Sequence, residues 1–433
     1  LKIHPYPSEE AEARLDTIVN RTIEFRKEDA DKVAAILDEV KTNGDEALIR
    51  YSRKFDAPDI TIDSLRVTEA EINAAEGSVD GEVMKALERA AAQIASFHRR
   101  QVRNSWIQTD RPGALLGQLY NPVDAAGVYV PGGKGGSTPL VSSLLMGVLP
   151  AKIAGVRRIC MATPPREDGS VNPYLLATAR LAGVDEIYKM GSAWAVAALA
   201  HGTASVHKVD VIVGPGNVFV TLAKKLVSGT VGIDMIAGPS EILVIADDSG
   251  DPDFIAADLL SQAEHDPLAS AVLVTTSPDI GRAVADAVAS QLNDLDRKEI
   301  AERSIADYGA IFTVADLETA FDLANRIAPE HLELQVADPM SHIGLIRNAG
   351  AVFLGRYTPE PVGDYIAGPN HVLPTAGTAR FSSALSVDDF TKKTSLISYS
   401  KSAFMDEADD VVRLAKVEGL DAHARSIQIR RKS

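Results

Sequence analysis

The chain has 433 residues, a formal net charge of -16, and 45% hydrophobic against 24% charged residues. That is more length than one core uses, in ordinary globular proportions, so two or more domains are expected. The acidic balance leaves no basic stripe for a phosphate backbone, which argues against nucleic acid as a partner. No apolar run spans a bilayer and the opening "LKIHPYPSEEAEARLD" lacks a signal-peptide layout, so a cytoplasmic protein is expected, with room for an initiator methionine or short leader before Leu1.

From 30 to 100, "ADKVAAILDEVKTNGDEALIRYSRKF" and "GEVMKALERAAAQIASFHRR" carry apolar residues at helical spacing around a Gly-Asp break, and predict at least two helices. From about 125 the pattern changes to short apolar strands ending in glycine or small-residue turns: "AAGVYV" before "PGGKGGS", "RRICMAT" before "PP", "EIYKM" before "GS", "VDVIV" before "GPGN". A second series follows at "EILVIADD", "SAVLVTTS", "GAIFTVAD", "LELQVAD" and "GAVFLG", with helical segments between. The fold class this predicts is α/β: two doubly wound, incomplete Rossmann-like parallel sheets, one inserted in the other, with small helical N- and C-terminal extensions. The expected boundaries are an arm at 1–24, a main domain at 25–128 and 241–382, an inserted domain at 129–240, and an extension at 383–433. Ligands are expected outside the carboxyl ends of the strands, where helix N-termini present free N–H groups.

Cys160, the one cysteine, excludes an internal disulfide and sits in a strand, where a structural role is expected. Any metal must therefore take N and O ligands. "LLSQAEHDPLAS" places Gln262 and His265 at the end of a helix that Asp251 caps, Pro252 opens and Asp266-Pro267 stops. An amide oxygen and an imidazole at that spacing suit a borderline divalent ion such as zinc, and a helix end satisfied by its own histidine is the competing reading. Asp364 and His371, in the irregular segment 356–383, and His423, in the tail, are further candidate ligands at no diagnostic spacing. That segment is too rich in specific polar and aromatic residues for a linker and predicts an ordered active-site loop. The tail is amphipathic and too small to own a core, so it must dock on its own chain or on a partner. In "APEHLEL", Glu330 and His331 sit at a helix-to-strand joint, either as an acid–base pair or as a surface pair.

The strings "AGPSEILVIAD", "ADLLSQAEHDPLASAVLVT", "APEHLEL", "VGDYIAGPNHVLPTAGTARFSSALSVDDF" and "EGLDAHARSIQIR", with "VYVPGG" and "GPGN" upstream, resemble the histidinol dehydrogenase family over essentially the whole chain. The resemblance implies a zinc-dependent, NAD-linked oxidation of L-histidinol through L-histidinal to L-histidine, in the final steps of histidine biosynthesis. It implies zinc ligands at Gln262, His265, Asp364 and His423, with the ion serving as a template for the substrate. Substrate contacts are implied at Ser240, His371 and Glu418, the last a carboxylate suited to a cationic amino alcohol. Glu330 and His331 match the catalytic pair: His331 takes the alcohol proton and Glu330 activates the water that hydrates the aldehyde. The tail, with His423, is implied to cross to the partner of a homodimer and make each active site composite.

Tyr129 and Asn217 keep the family's residue types at cofactor positions. Two stretches depart from it. "GSAWA" stands where many members read "GGAQA", so Trp194 offers a stacking ring in place of an amide, which puts that contact in question. "KGGSTPLVSS" replaces a "TAxYPS"-like run and adds Lys134 near a phosphate position. Two other readings remain: a paralogous zinc- and NAD-dependent dehydrogenase of another polar alcohol, and a non-redox zinc hydrolase.

Overall fold

The computed structural model describes residues 1–21, 25–133, 136–236 and 238–431; Lys134 falls outside them. The strands, in chain order, are β1 (Ile3–Pro5), β2 (Trp106–Gln108), β3 (Ala114–Pro122), β4 (Ala125–Tyr129), β5 (Arg158–Thr163), β6 (Glu186–Lys189), β7 (Val211–Val213), β8 (Gly232–Ile233), β9 (Glu241–Ala246), β10 (Ser270–Thr275), β11 (Ala310–Thr313), β12 (His331–Gln335), β13 (Ala351–Leu354) and β14 (Thr391–Tyr399). They form two parallel sheets, β1-β11-β10-β9-β12-β13 and β6-β5-β4-β7-β8, and an antiparallel ribbon β14-β3-β2. The α/β class with two parallel sheets is as the strand–helix rhythm predicts.

By internal contacts the chain forms two compact units, Leu1–Gln101 with Asp124–Phe390, and Val102–Val123 with Thr391–Ser433. Both parallel sheets lie in the first. Its opening helices differ from the expected grouping: Val33, Leu37 and Val40 of the helix Lys27–Asn43 pack with Trp194, Val196 and Leu199 of the helix Ser192–His201. The latter helix is apolar all round and must be covered on its outer side too, which the opening helices do. The N-terminal arm is more than helical. Its β1 adds an edge strand to the six-stranded sheet beside β11, a segment whose Pro5 is tolerated only at such an edge. In the second unit the extension likewise carries a strand, since β14 pairs along its whole length with β3, which the sequence rhythm had grouped elsewhere. Cys160 is buried on β5, its thiol donating to Glu186 Oε2 at 3.3 Å, and burial pushes the thiol well up, in keeping with a structural role.

The strands β9, β10 and β12 are buried throughout, which is why they read as unbroken apolar runs, with one exception. In β12, "HLELQ", Leu332 and Leu334 join an apolar cluster, while His331, Glu333 and Gln335 project from the opposite face and are buried all the same. A polar face inside a sheet core has to be partnered, and its partners define the site.

Candidate active site

Two of the cavities in the first unit bear on function. One, of about 350 Å³, is lined by Ser240, Gln262, His265, Glu330, His331, Asp364 and His371, together with Glu360, Lys224, Asp234 and the loop at Gly214. It thus gathers every expected substrate and metal residue of this unit. Glu418 and His423 belong to the second unit, where they are exposed at and after the end of the helix Lys401–Val417.

The site sits at the amino ends of β9 and β12, not at their carboxyl ends as the general rule for such sheets led us to expect. The reason is electrostatic. The amino ends of parallel strands lie on the side where the connecting helices end, here Pro252–Ala263 between β9 and β10 and Leu317–Ile327 between β11 and β12, whose carbonyl-rich C-termini favour positive charge. A divalent ion or an ammonium fits there; a phosphate does not. Asp251 caps the first of these helices, accepting from Asp253 N–H (3.1 Å) and Phe254 N–H (3.4 Å), with Pro252 in its first turn, as the sequence predicts. The helix stops at Ala263, and a further turn, His265 N–H to Gln262 C=O at 3.1 Å, brings the His265 ring toward Ser240 (Oγ to Nδ1 3.4 Å). The second helix ends on Ala328, held at φ 54°, a left-handed turn that starts β12 at His331.

Glu241 organises the Glu330–His331 pair. Its N–H donates to Glu330 Oε2 (3.0 Å), its carboxylate accepts Glu330 N–H (3.2 Å), and its carbonyl oxygen lies 2.9 Å from His331 Nδ1. A carbonyl only accepts, so Nδ1 carries the hydrogen and Nε2 is left as the basic nitrogen. Burial holds His331 down at about 4, which keeps the ring neutral. Burial and the Glu241 charge push the Glu330 carboxyl well above the usual carboxylate range, giving it a high proton affinity.

Sequence reasoning missed Glu360. It stands four residues before Asp364, the spacing of one helical face, but the segment was read as a loop; Glu360–Val362 and Gly363–Ala367 are short helical turns. His331, Glu360 and Asp364 each present an atom within 4.8 Å of the others, close enough to share an ion among the described residues. Burial pushes both Glu360 and Asp364 up; the Asp364 charge adds to the rise at Glu360, while the hydrogen bond from Glu360 works against it at Asp364. The cavity also holds polar atoms without a hydrogen-bond partner among the described residues: both amide atoms of the fully buried Gln262, His331 Nε2 and His371 Nδ1, the last 3.7 Å from Asp364. Orphaned buried polar groups are costly, and here they converge with acids on one space. A zinc ion's preference for N and O donors fits this set.

The second cavity, about 870 Å³, lies at the carboxyl ends of the five-stranded sheet and is lined by Tyr129, Trp194, Asn217 and the Gly132–Gly133 turn. Tyr129 hydroxyl accepts Ser192 N–H (3.0 Å), and Asn217 caps the helix Val218–Val227, accepting from Phe219 and Val220 N–H. Trp194 is packed against Tyr51 and Phe55, and its Nε1–H is taken by Asp56 at 2.9 Å. The loop Gly214–Asn217 contributes to both cavities. Gly214 needs its positive φ of 116°, since a Cβ there would stand 2.1 Å from Tyr129 O. Its N–H donates to Asp234 Oδ2 (2.8 Å) and its C=O accepts from Lys224 Nζ (2.9 Å), a buried ion pair that fixes the wall between the two spaces.

Comparison with known proteins agrees with this geometry. A sequence model of the histidinol dehydrogenase family matches residues 19–431. The chain is 54% identical to histidinol dehydrogenase of Desulfotalea psychrophila, covering 98% of both chains, and 52% identical to that of Listeria monocytogenes, covering 97% of this chain and 96% of the relative. The crystal structure of histidinol dehydrogenase from Elizabethkingia anophelis superposes with a TM-score of 0.93 at 37% identity, over 100% of this chain and 98% of that one. Likeness of this extent in sequence and in fold has one reading: the chain belongs to the histidinol dehydrogenase family.

Proposed function

We propose that the chain oxidises L-histidinol through L-histidinal to L-histidine with two NAD, as the last steps of histidine biosynthesis, at a zinc-dependent active site. The observation that carries this reading is the convergence in one cavity of the orphaned Gln262 amide and His331 Nε2 with Asp364 and a cation-attracting set of acids. Gln262, His265 and Asp364, with His423, would hold the ion; Ser240, His371 and Glu418 would contact the substrate. When bound, zinc supplies a Lewis-acid template for the substrate's imidazole and amine, and NAD, against Tyr129 and Asn217, supplies the hydride acceptor.

The chain's own residues handle protons and water. His331 Nε2 takes the hydroxyl proton in the first oxidation and that of the hydrate in the second. Glu330 takes a proton from the water that adds to the aldehyde. Burial of both groups keeps bulk water from competing. The test is stoichiometric: two NADH should appear per histidinol consumed, chelation should abolish turnover, and added zinc should restore it. Full activity in metal-free protein would overturn the zinc assignment, and hydrolysis without NADH would favour the hydrolase reading.

The second unit supports an assembly of two copies with composite sites. Its own core is small, Val412, Ala415 and Ala424 with Ile427 against them, while Val417 is 87% and Ile397 69% exposed. So much apolar surface on so small a unit calls for a partner, and a second copy supplying His423 meets that need.

Trp194 lies beside the cofactor position with its N–H already committed to Asp56. Trp194→Gln should therefore weaken NAD binding by several-fold, about 1 kcal/mol, through loss of the packed wall, while histidinol binding stays within about twofold. Titration calorimetry with each ligand checks this; an unchanged NAD affinity would remove Trp194 from the cofactor site.

A further inference from the structure

We propose that Arg21, acting through Glu241, is a positioning residue for the Glu330–His331 pair, so that the N-terminal arm is part of the catalytic apparatus. This rests on the reading of Glu330 and His331 as the base pair. Arg21 follows the helix Glu9–Val19; its side chain is 4% exposed, its Nη2 lies 2.5 Å from Glu241 Oε1, and its guanidinium covers the Tyr308 ring at 5.5 Å. A guanidinium is not buried without a partner, and neither is a carboxylate.

Glu241 needs its charge for the work it does. Oε1 accepts Ala376 N–H (3.1 Å) as well as Arg21, while Oε2 accepts Glu330 N–H. An ionised carboxylate can accept at both oxygens; a protonated one would aim a hydrogen at one of these donors. Burial favours that unwanted proton, and Arg21 opposes it. Tyr308 and Asp266 face Arg21, and Glu330 faces Glu241; none of them can supply the cation in its place. Because the main chain of Glu241 also holds the Glu330 carboxylate and fixes the His331 tautomer, any shift of Glu241 is passed to both reacting groups at once. Small misplacements of reacting groups are expensive in rate.

The test compares Arg21→Met and Arg21→Lys with the parent, as zinc-loaded full-length protein. Arg21→Met should lower kcat for both histidinol and histidinal by about tenfold or more, with KM for histidinol and NAD within about twofold and zinc content unchanged. Arg21→Lys, which restores the charge, should recover most of the loss. A folded Arg21→Met with full kcat, or a loss carried by KM, overturns the proposal. If Arg21→Met does not fold, the double variant Arg21→Gln with Glu241→Gln removes both buried charges together; a low kcat supports the proposal and a normal one overturns it. Failure of the functional reading would show in the parent, which would release no NADH, whereas failure of this inference would show in the Arg21 variants alone.

Discussion

His331→Asn should slow the oxidation of histidinol and of histidinal alike, by about 10²–10⁴-fold, the range that a positioned general base contributes. Asparagine is the informative choice because its amide can still donate to the carbonyl of Glu241, as Nδ1 does at 2.9 Å, and so keep β12 in register while Nε2 is deleted. The loss should fall on kcat with little change in histidinol affinity, since the ligands and acids around the cavity are untouched. Glu330→Gln provides the contrast. Its amide oxygen can still accept from Glu241 N–H, so the joint should hold, but it cannot take a proton from water. The aldehyde step should suffer far more than the alcohol step. Rates of NADH formation from histidinol and histidinal supplied separately decide the matter, and equal losses in Glu330→Gln would contradict this division of labour.

The second large effect concerns the shared site. His265 belongs to the first unit and His423 to the second, whose exposed apolar face we assign to a second copy. His265→Ala and His423→Ala should each be inactive alone. Mixed and allowed to exchange subunits, they should form heterodimers in which one site is intact and the other carries both lesions. Activity per heterodimer should return to about half of the parent's if the sites act independently. Verified exchange with no recovery would mean that His423 serves its own chain or that the two sites are strongly coupled.

Much of this could be read from the residues, for physical reasons that differ by element. The parallel sheets were legible because strands buried on both faces must be apolar runs, as in "EILVIA" and "SAVLVT". The helix carrying Gln262 was legible because a cap and a proline mark its start chemically. The strand β1 was not, since three residues with a proline carry no periodicity, and β14 was hidden because its partner β3 lies far away in sequence. Glu360 went unseen because a short helical turn with a π-type continuation leaves no pattern. Glu241 looked like an ordinary strand residue in "PSEILV", and Arg21 like an ordinary arm residue; the bonds from Glu241 to Glu330 and His331, and the 2.5 Å between Glu241 and Arg21, give them their roles. The placement of the site at the amino ends of β9 and β12 was likewise beyond the sequence, since a general rule about sheets pointed to the other edge.

The polar face of β12 sets heat tolerance and turnover against each other. A central strand ordinarily gains stability from apolar contact on both sides, and this one gives up a side to His331, Glu333 and Gln335. Glu333 uses that position to accept the N–H of Glu360 at 2.9 Å and so to shape the turn that carries Glu360 and Asp364. Leucines at 333 and 335 would make a sturdier sheet around a disordered active site. Engineering a hardier form of this protein should therefore leave β12 of its larger sheet alone and work on surface helices, where a gain in stability costs no chemistry.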